Sequence, residues 1–372
     1  MKTSICLPKV SIIIPTFNRA SMLGNTVSSA MQQDYPNLEI LICDNASTDD
    51  TENVAKNFLS DSRVQYFRNE ANIGMVGNWR KALYERATGE WFLILSDDDW
   101  LIDHRYISDS MSLAKTDSGV SVVYAGGYIW DEKRETLKPL DLPFQSIIDG
   151  RLVFLSRGRV KPQDFTLCNI LFRKLDAINE DAFSDDYNLA CDSELFLRLC
   201  LRGSLGIIHR RVSIYRLHDG NLVNHMRSDF KSMLGYANHL IMPYVCAKQA
   251  RVLTSDELRK FVIDSGLKRV VQITLVDTIL FYRDHYTDLR KTFNELVPDV
   301  LNKCDNTLMF RLEIMLAKWL PLTYHPLYGA YISLRHWIKI ALSVLPGYKS
   351  SKSVVPQLYR EQGSSSDQVG KW

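Results

Sequence analysis

Short apolar runs alternate with segments of helical periodicity over the first hundred residues. The apolar runs, which are rich in β-branched residues and predict strands, lie at 10–14, 38–43, 63–67 and 91–95. The helix-compatible segments lie at 21–33, 50–60, 77–87 and 103–114. Strands that alternate with helices in this way predict βαβ units, and hence an α/β fold with a mostly parallel sheet and helices on both of its faces.

Polar clusters follow three of the predicted strands at the point where each strand ends. They are Thr16–Arg19, Asp44–Asp50 and Ser96–Asp99. A parallel sheet binds ligands at the carboxyl ends of its strands, so three clusters at one edge predict a nucleotide site. Each cluster alone is also compatible with a turn, and Thr48 or Asp49 is a candidate N-cap for the helix at 50–60.

The run Asp97-Asp98-Asp99 is the most informative of these clusters. Three carboxylates at the end of a buried strand repel one another and lose solvation, and a divalent cation among them relieves both effects. Oxygen ligands of this kind suit Mg²⁺ or Mn²⁺, which are usually shared with substrate phosphates. The alternative is an exposed turn in which one aspartate caps the following helix.

The familiar glycine-rich phosphate loops are absent from the sequence. No GxGxxG follows the first strand and no GxxxxGK[ST] occurs, so a dinucleotide-binding Rossmann site and a P-loop both lack support. A bound diphosphate therefore needs another source of positive charge, and a metal held by aspartates supplies it.

Composition adds information on compartment and partners. The 372 residues are 46% apolar and 24% charged, which is ordinary for a folded protein. A formal net charge of +2 gives no reason to expect nucleic acid as a partner. The seven cysteines are scattered and form no CxxC pair, which predicts reduced thiols in the cytoplasm. Residues 1–9 lack the apolar run of a signal peptide, so no secretory signal is predicted.

The order and spacing of several motifs resemble the family-2 glycosyltransferases, which have the GT-A fold. These motifs are Val10–Arg19, Asp44–Thr51, Asn72-Ile73-Gly74, Gly89-Glu90 and Asp97–Asp99. The resemblance implies transfer of a sugar from a nucleoside-diphosphate-sugar donor to a glycan or lipid-linked acceptor, with inversion at the anomeric carbon. Many relatives of this kind build bacterial surface polysaccharides.

The resemblance also implies roles for individual residues. The expected contacts to the nucleotide-sugar donor are Pro15, Thr16, Phe17, Asn18, Arg19, Asp44, Asn45, Ser47, Asn72, Gly74, Asn78, Asp97 and Arg216. The expected ligands of the divalent metal, Mn²⁺ or Mg²⁺, are Asp98, Asp99 and His218.

Two positions depart from the family pattern. Ser96 stands at the first position of the usual Asp-x-Asp, which leaves Asp98 as the principal metal ligand. Asn45 stands where a second aspartate commonly faces the base. An amide can donate as well as accept, so UDP, dTDP, GDP and CDP donors all stay open.

Inverting transfer needs a carboxylate that accepts the proton of the acceptor hydroxyl. The segment Asp192–Leu199 has the spacing of an amphipathic helix with an acid in its first turn, and it resembles the acidic motif of the family. Asp192 is therefore the predicted base, and a simple helix cap is the alternative. The other candidates are Asp181, Asp185, Asp186 and Glu194.

Tyr215-Arg216-Leu217-His218 follows a strand-like run at 204–214. Residues two apart on an extended segment point to one face, so Arg216 and His218 could both reach a diphosphate. The alternative to diphosphate binding for Arg216 is a purely structural role. Trp100, Tyr128 and Trp130 are candidate platforms for sugar rings, with a place in the core as the alternative.

Three regions follow from these patterns. Residues 1–225 form the predicted catalytic domain, with donor binding at 8–125 and the acceptor and base region at 126–225. Residues 226–348 are predicted to be helical, near 229–248, 255–285, 288–303 and 307–320, and 349–372 to be a disordered tail. The basic, aromatic segment 306–348 fits contact with the inner face of the cell membrane, or a helix packed on the protein.

Two other function classes remain open. A sugar nucleotidyltransferase also uses an α/β sheet and paired carboxylates, but it usually has a glycine-rich loop after the first strand, which Pro15–Arg19 lacks. A GT-A-like protein that has lost catalysis would only bind its ligands. The presence of Asp98, Asp192 and His218 argues against that loss.

Overall fold

The computed structural model describes residues 7–140, 142, 145–156, 166–184, 188–221 and 230–319. The candidate bases Asp185 and Asp186 and the tail at 349–372 lie outside the described residues. The same holds for the part of the basic segment beyond residue 319.

The described ranges contain ten strands and thirteen α-helices. The strands are β1 Val10–Thr16, β2 Leu38–Asp44, β3 Val64–Arg68, β4 Trp91–Ile94, β5 Trp100–Leu101, β6 Val120–Asp131, β7 Thr136–Pro139, β8 Ile147–Asp149, β9 Ile170–Arg173 and β10 Ser204–Leu217. The helices are α1 Ala20–Met31, α2 Thr51–Lys56, α3 Met75–Lys81, α4 Tyr106–Thr116, α5 Gly150–Ser156, α6 Lys174–Asn179, α7 Cys191–Cys200, α8 Phe230–Ala250, α9 Ser255–Asp264, α10 Leu267–Phe281, α11 Tyr286–Leu296, α12 Pro298–Asp305 and α13 Leu308–Trp319.

All these strands belong to one sheet. Its order is β3-β2-β1-β4-β9-β6-β10-β5, with β7 on β6 and β8 on β10. The four strands β3, β2, β1 and β4 are parallel, as predicted, whereas β9 runs antiparallel to both β4 and β6. The sheet is therefore mixed beyond its first four strands. The parallel register pairs Thr16 with Asp44, so the loops after β1 and β2 leave the sheet side by side.

Helices cover both faces of the sheet, and each face has its own core. Ile12 and Ile14 of β1 belong to the core under α1 and α4, whereas Ile13 points to the opposite core with α3, α7 and α8. This alternation follows from the two-residue period of a strand. The second core extends without a break to Ala317 in α13, so the C-terminal helices share a core with the sheet.

Two of the predicted C-terminal helices are each divided in the structure. Gly266, with φ of +74°, separates α9 from α10, where the sequence pattern predicted one helix at 255–285. A residue in the left-handed region interrupts helical hydrogen bonding, and glycine adopts it without steric cost. Pro298 begins α12 and separates it from α11, where one helix was predicted at 288–303.

Two boundaries near the site also differ from the prediction. β10 continues to Leu217, so Tyr215 and Arg216 are strand residues that pair with β6. The helix predicted at 77–87 begins at Met75 and ends in a π-helical turn at Ala82–Arg86. Among the described helices, none combines the length and the apolar character needed to span a bilayer.

Candidate active site

The loops at the carboxyl ends of β1, β2 and β4 open into one cleft of about 870 Å³. The predicted site residues that line it are Pro15, Thr16, Phe17, Arg19, Asn45, Asn72, Gly74, Asn78, Asp97, Asp98, Asp99 and Asp192. The structure thus brings together residues that follow four strands, β1, β2, β3 and β4, with residues of α3 and α7. Parallel strands place their carboxyl ends at one edge, which explains why these distant segments meet.

The Asp97–Asp99 run is buried at this cleft, with 5%, 6% and 1% of its three residues exposed. Nη1 of Arg19 lies 3.1 Å from Oδ1 of Asp97 and also contacts Oδ2 of Asp98. Nε2 of His218 lies 3.0 Å from the same Asp98 oxygen. The alternative of an exposed turn is therefore wrong, because protein atoms enclose all three carboxylates.

Burial disfavours the charged form of the carboxyl groups in this cluster. Burial raises the pKa of Asp97 to about 6, although the nearby Arg19 guanidinium opposes the shift. Burial and the neighbouring Asp98 also raise the pKa of Asp99. Oδ1 of Asp99 accepts a hydrogen bond from the backbone N–H of Arg216 at 2.9 Å. Its Oδ2 has no regular hydrogen-bond partner among the described residues, since the thiol of Cys168 beside it is only a weak donor.

The donor set at this cluster fits a divalent ion. The described part of the chain holds no ready group of three or more His, Cys, Asp or Glu side chains arranged around a metal position. Carboxylate oxygens and one imidazole nitrogen nevertheless suit Mn²⁺ or Mg²⁺, and Oδ2 of Asp99 is a buried oxygen without a regular hydrogen-bond partner among the described residues. Arg19 supplies part of that charge, so a metal at Asp98 would have to displace its guanidinium.

Asn45 is the centre of an amide network at the end of β2. Its Nδ2 donates to Oδ1 of Asn72 at 2.8 Å and to the carbonyl of Gly74 at 3.0 Å. Its Oδ1 accepts from Nδ2 of Asn69 at 3.0 Å and from the backbone N–H of Ile73 at 3.0 Å. The side chain is therefore fixed in one orientation, and the loop around Gly74 is fixed with it.

Asn69 and Asn78 extend this network beneath the cleft. Nδ2 of Asn69 also donates to Oδ1 of Asn78 at 3.0 Å, and Nδ2 of Asn78 donates to the carbonyl of Cys43 at 2.8 Å. Both residues are buried. Asn69 was not among the predicted site residues, because a single asparagine after a strand is indistinguishable from a turn residue in sequence.

Asp44 supports the loops instead of lining the cleft. Its Oδ1 accepts from the backbone N–H of Ser47 at 2.9 Å. Its Oδ2 accepts from the hydroxyl of Tyr66 at 2.7 Å and from Nη1 of Arg68 at 2.8 Å. The carboxylate is buried, and its oxygens are engaged by these partners.

Asn18 and Ser47 join the first two loops to each other. Asn18 has φ of +53°, and its backbone N–H donates to Oγ of Ser47 at 2.8 Å. Its Oδ1 accepts from the backbone N–H of Thr48 at 2.7 Å. Asp49, one of the two predicted caps, accepts from the backbone N–H of Thr51 in α2 and also from that of Ala20 in α1. These contacts hold Phe17 and Arg19 at the cleft.

Asp192 lies in the first turn of α7 and lines the cleft. The other described candidates for the base do not. Asp181 is paired with Arg80 at 2.8 Å on the surface. Glu194 is buried and engaged by Nε of Arg198 at 3.0 Å and by Nδ2 of Asn188 at 2.7 Å. Among the described candidates, the geometry therefore leaves Asp192 as the carboxylate that an acceptor could reach.

Arg216 and His218 have different surroundings, although they are two residues apart. The Arg216 guanidinium lies on Glu132, with Nη2 2.7 Å from Oε1. Neither Arg216 nor His218 is among the residues that line the cleft. The backbone N–H of Arg216 instead supports Asp99. His218 contacts Asp98 as described, and Asn221 fixes its loop by accepting from the His218 backbone N–H at 2.5 Å.

Several residues that line the cleft were not predicted from the sequence. The aromatic lining includes Trp79, Tyr215 and Tyr236 besides the predicted Phe17, whereas Trp100, Tyr128 and Trp130 do not line the cleft. Cationic side chains come from the β6–β7 hairpin, and a histidine comes from α8; these residues are Arg134, Lys138 and His239. The charged residues at 131–138 are a weak local marker of the hairpin. The helix near 229–248 was predicted, but nothing local in the sequence places it at the cleft.

Comparison with known proteins identifies a family domain in this chain. Residues 11–177 match the family model described as glycosyl transferase family 2. These residues therefore form a glycosyl transferase family 2 domain. The glycosyltransferase is 28% identical over 228 residues to an uncharacterized glycosyltransferase of Rickettsia typhi, a match that covers 60% of this chain and 69% of that protein.

Two further relatives have names that state an activity. The glycosyltransferase is 41% identical over 98 residues to the GalNAc(5)-diNAcBac-PP-undecaprenol beta-1,3-glucosyltransferase of Campylobacter jejuni. It is 36% identical over 120 residues to the UDP-Glc:alpha-D-GlcNAc-diphosphoundecaprenol beta-1,3-glucosyltransferase WfaP of Escherichia coli. These matches cover 26% and 32% of this chain, and they span only 31% and 46% of the two relatives.

The solved structure of S. aureus TarS 1-349 in complex with UDP-GlcNAc has the same fold. Its TM-score is 0.57 at 15% identity, over 83% of this chain and 89% of that one. At this identity the likeness concerns the fold, and it confirms the predicted GT-A-type sheet and the helical C-terminal region of this glycosyltransferase.

Proposed function

We propose that this glycosyltransferase transfers a sugar from a nucleoside-diphosphate donor to a glycan on a polyprenyl diphosphate, with inversion at the anomeric carbon and with a divalent metal. The observation that carries the proposal is the single cleft that holds the Asp97–Asp99 cluster, the Asn45 network and Asp192. The names of the C. jejuni and E. coli relatives support a lipid-diphosphate acceptor, and WfaP supports UDP as the first donor to test.

The donor base is expected to bind at the end of β2. Asn45 and Asn72 line the cleft there with fixed amides, and the half-exposed ring of Phe17 offers an apolar surface beside them. Fixed amide groups discriminate between bases because an unmatched base edge leaves a polar group unpaired. This loop is therefore the proposed source of nucleotide specificity.

The diphosphate is expected to lie towards the acidic cluster and the β6–β7 hairpin. Asp98, Asp99 and His218, with Asp97 beside them, would hold the metal, which would supply positive charge to the departing diphosphate. Arg134 and Lys138 line the same cleft and are exposed, so their side chains can turn towards phosphate oxygens. Arg19, once displaced from Asp98, would add a further guanidinium for bidentate contact.

Asp192 is the proposed base for the acceptor hydroxyl. Its position in the first turn of α7 favours the ionised carboxylate, because the helix N-terminus carries partial positive charge. An ionised carboxylate within hydrogen-bond reach of the hydroxyl takes its proton as the oxygen attacks the anomeric carbon. A single displacement of this kind inverts the configuration at the anomeric carbon and needs no covalent sugar–enzyme intermediate.

A panel of donors tests the proposal. The purified protein is incubated with Mn²⁺ and UDP-, dTDP-, GDP- and CDP-sugars, and nucleoside diphosphate release is measured with and without a synthetic lipid-diphosphate-linked GlcNAc acceptor. Release of one nucleoside diphosphate that rises on addition of acceptor supports the proposal. Donor binding without turnover under every condition would contradict it, and so would pyrophosphate release in a parallel incubation with nucleoside triphosphates and sugar 1-phosphates.

A lipid-linked acceptor also brings the protein to a membrane surface. We therefore propose that the protein acts at the cytoplasmic face of the cell membrane. Cosedimentation with vesicles of anionic phospholipid measures this directly, and a chain that stays in the supernatant at low salt would contradict it.

A further inference from the structure

The cleft has a wall that comes from the C-terminal helical region. Tyr236 and His239, one turn apart on α8, line the same cleft as Asp192 and Ser193 of α7. α8 packs directly on α7, and both helices belong to one core. The site is therefore not complete within the first 225 residues.

The two side chains form one polar and aromatic surface. Their ring centroids are 4.7 Å apart at an angle of 43°. Nδ1 of His239 contacts the backbone carbonyl oxygen of Tyr236, and because a carbonyl only accepts, this nitrogen carries the proton and donates it. The imidazole is thereby fixed against its own helix. Tyr236 is only partly buried, so part of its ring is open to the cleft.

The helix that carries these residues is firmly anchored. Tyr244 is buried in the core, its hydroxyl contacts Asp299 of α12, and Lys248 lies 3.2 Å from the same carboxylate. Ala237, Leu240 and Ile241 belong to the core shared with α7. A binding surface on a rigid element holds its geometry better than one on a loop.

From this arrangement we propose that Tyr236 and His239 form the platform for the acceptor sugar, so that the C-terminal region determines which glycan is extended. The proposal rests on the function proposed above, in which Asp192 marks the place of the acceptor hydroxyl. An aromatic face packs against the C–H face of a sugar ring, and a neighbouring imidazole offers hydrogen bonding to its hydroxyls. The donor contacts, in contrast, come from the loops after β1, β2 and β3.

The test separates acceptor recognition from donor recognition. The variants are Tyr236→Leu, which keeps apolar volume without a ring, Tyr236→Phe, which keeps the ring, and His239→Ala. The control is Gln249→Ala, an exposed position on the same helix outside the cleft. UDP binding is measured by calorimetry with Mn²⁺. Binding of a lipid-diphosphate-linked GlcNAc is measured by saturation-transfer NMR in the presence of UDP, and its KM is measured with UDP-glucose as donor.

Tyr236→Leu is expected to weaken acceptor binding and to raise the acceptor KM about tenfold, whereas Tyr236→Phe restores most of the loss. The UDP dissociation constant should stay within about twofold in every variant. Unchanged acceptor binding in Tyr236→Leu and His239→Ala, or equal losses for UDP and acceptor, would overturn the proposal while leaving the proposed function intact. Failure of the unaltered protein to bind any nucleoside diphosphate would instead remove the proposed function, and this inference with it.

Discussion

His218 places its Nε2 3.0 Å from Oδ2 of Asp98, a residue 120 positions earlier in the chain. This contact joins the turn after β10 to the loop after β4. It puts an imidazole nitrogen beside the carboxylate that the sequence predicts as the main metal ligand. The pair is therefore the most direct place to examine metal dependence.

Replacing His218 by alanine should lower the affinity for Mn²⁺ about 10- to 100-fold, because Asp98 loses its neighbouring nitrogen donor. Electron paramagnetic resonance of free Mn²⁺ measures this without any turnover. His209→Ala is the matched control, since His209 is exposed and its imidazole lies beside Ser146 instead of Asp98. Equal Mn²⁺ affinities in the two variants would exclude His218 from the metal site.

Replacing Asp192 by asparagine should reduce kcat by about 10²- to 10⁴-fold, because an amide cannot accept the proton of the acceptor hydroxyl. The dissociation constant of the nucleoside diphosphate should not change, since the donor contacts lie elsewhere in the cleft. Steady-state kinetics together with calorimetry checks both parts. Asp181→Asn serves as the control, because this candidate acid is exposed and paired with Arg80.

Asp98→Ala should weaken nucleotide binding, which Asp192→Asn should leave unchanged. Loss of this carboxylate removes the contacts with Arg19 and His218, so metal-dependent nucleotide binding itself should weaken. Calorimetric titration of UDP with and without Mn²⁺ measures the metal-dependent part. If Asp98→Ala and Asp192→Asn lost the same amount of nucleotide affinity, the two residues could not have the separate roles proposed here.

Asn45→Asp should destabilise the nucleotide end of the cleft. The new carboxylate oxygen would face two acceptors, Oδ1 of Asn72 and the carbonyl of Gly74, that now receive hydrogen bonds from the amide. Unsatisfied or repelled buried polar groups cost about 1–3 kcal/mol, and the free energy of unfolding should fall by that amount. Urea denaturation measures it. Asn294→Asp, at an exposed position of α11, should leave the unfolding free energy nearly unchanged.

Glu39 provides a prediction on the pH dependence of stability. Burial by itself raises the pKa of Glu39, but hydrogen bonds from Lys9, Ser11 and Thr88 outweigh burial and hold the pKa below its ordinary value. A carboxyl group with a lowered folded-state pKa stabilises the protein above its unfolded-state pKa, and that contribution is lost as the pH falls through the folded-state pKa.

The stabilising effect of Glu39 over glutamine should therefore be largest near neutral pH and should shrink in acid. Urea unfolding of the unaltered protein and of Glu39→Gln, at a series of pH values, gives this difference directly. Glu70→Gln is the control, because Glu70 is exposed in the loop after β3. A difference that does not vary with pH would show that Glu39 acts through packing alone.

Local pattern was sufficient to predict the strands and loops of the donor side. Each of β1, β2 and β4 is an apolar run with a polar cluster at its end, and parallel pairing brings the clusters together without further information. The register partners Thr16 and Asp44 illustrate this. The sequence could not show that Asp44 would be engaged by Tyr66 and Arg68, because that depends on which strand lies next to β2.

The acceptor side depends on contacts that no local pattern encodes. The Arg216 guanidinium pairs with Glu132 because β10 lies parallel to β6, and this register is set by the whole sheet. Tyr236 reaches the cleft only because α8 packs on α7. The breaks between α9 and α10 and between α11 and α12, in contrast, have local markers in the sequence, Gly266 and Pro298. The prediction followed the continuous helical periodicity and therefore missed both breaks.

The core that runs from Ile13 in the sheet to Ala317 in α13 has a consequence for engineering this chain. A shortened protein that stops after β10 would expose the apolar side of α7 to water and should aggregate. A chimaera that borrows the last helices of a relative, in order to change the glycan it extends, would need a matching α7 as well. The boundary for such exchanges therefore lies before residue 191, upstream of the point where the helical region begins.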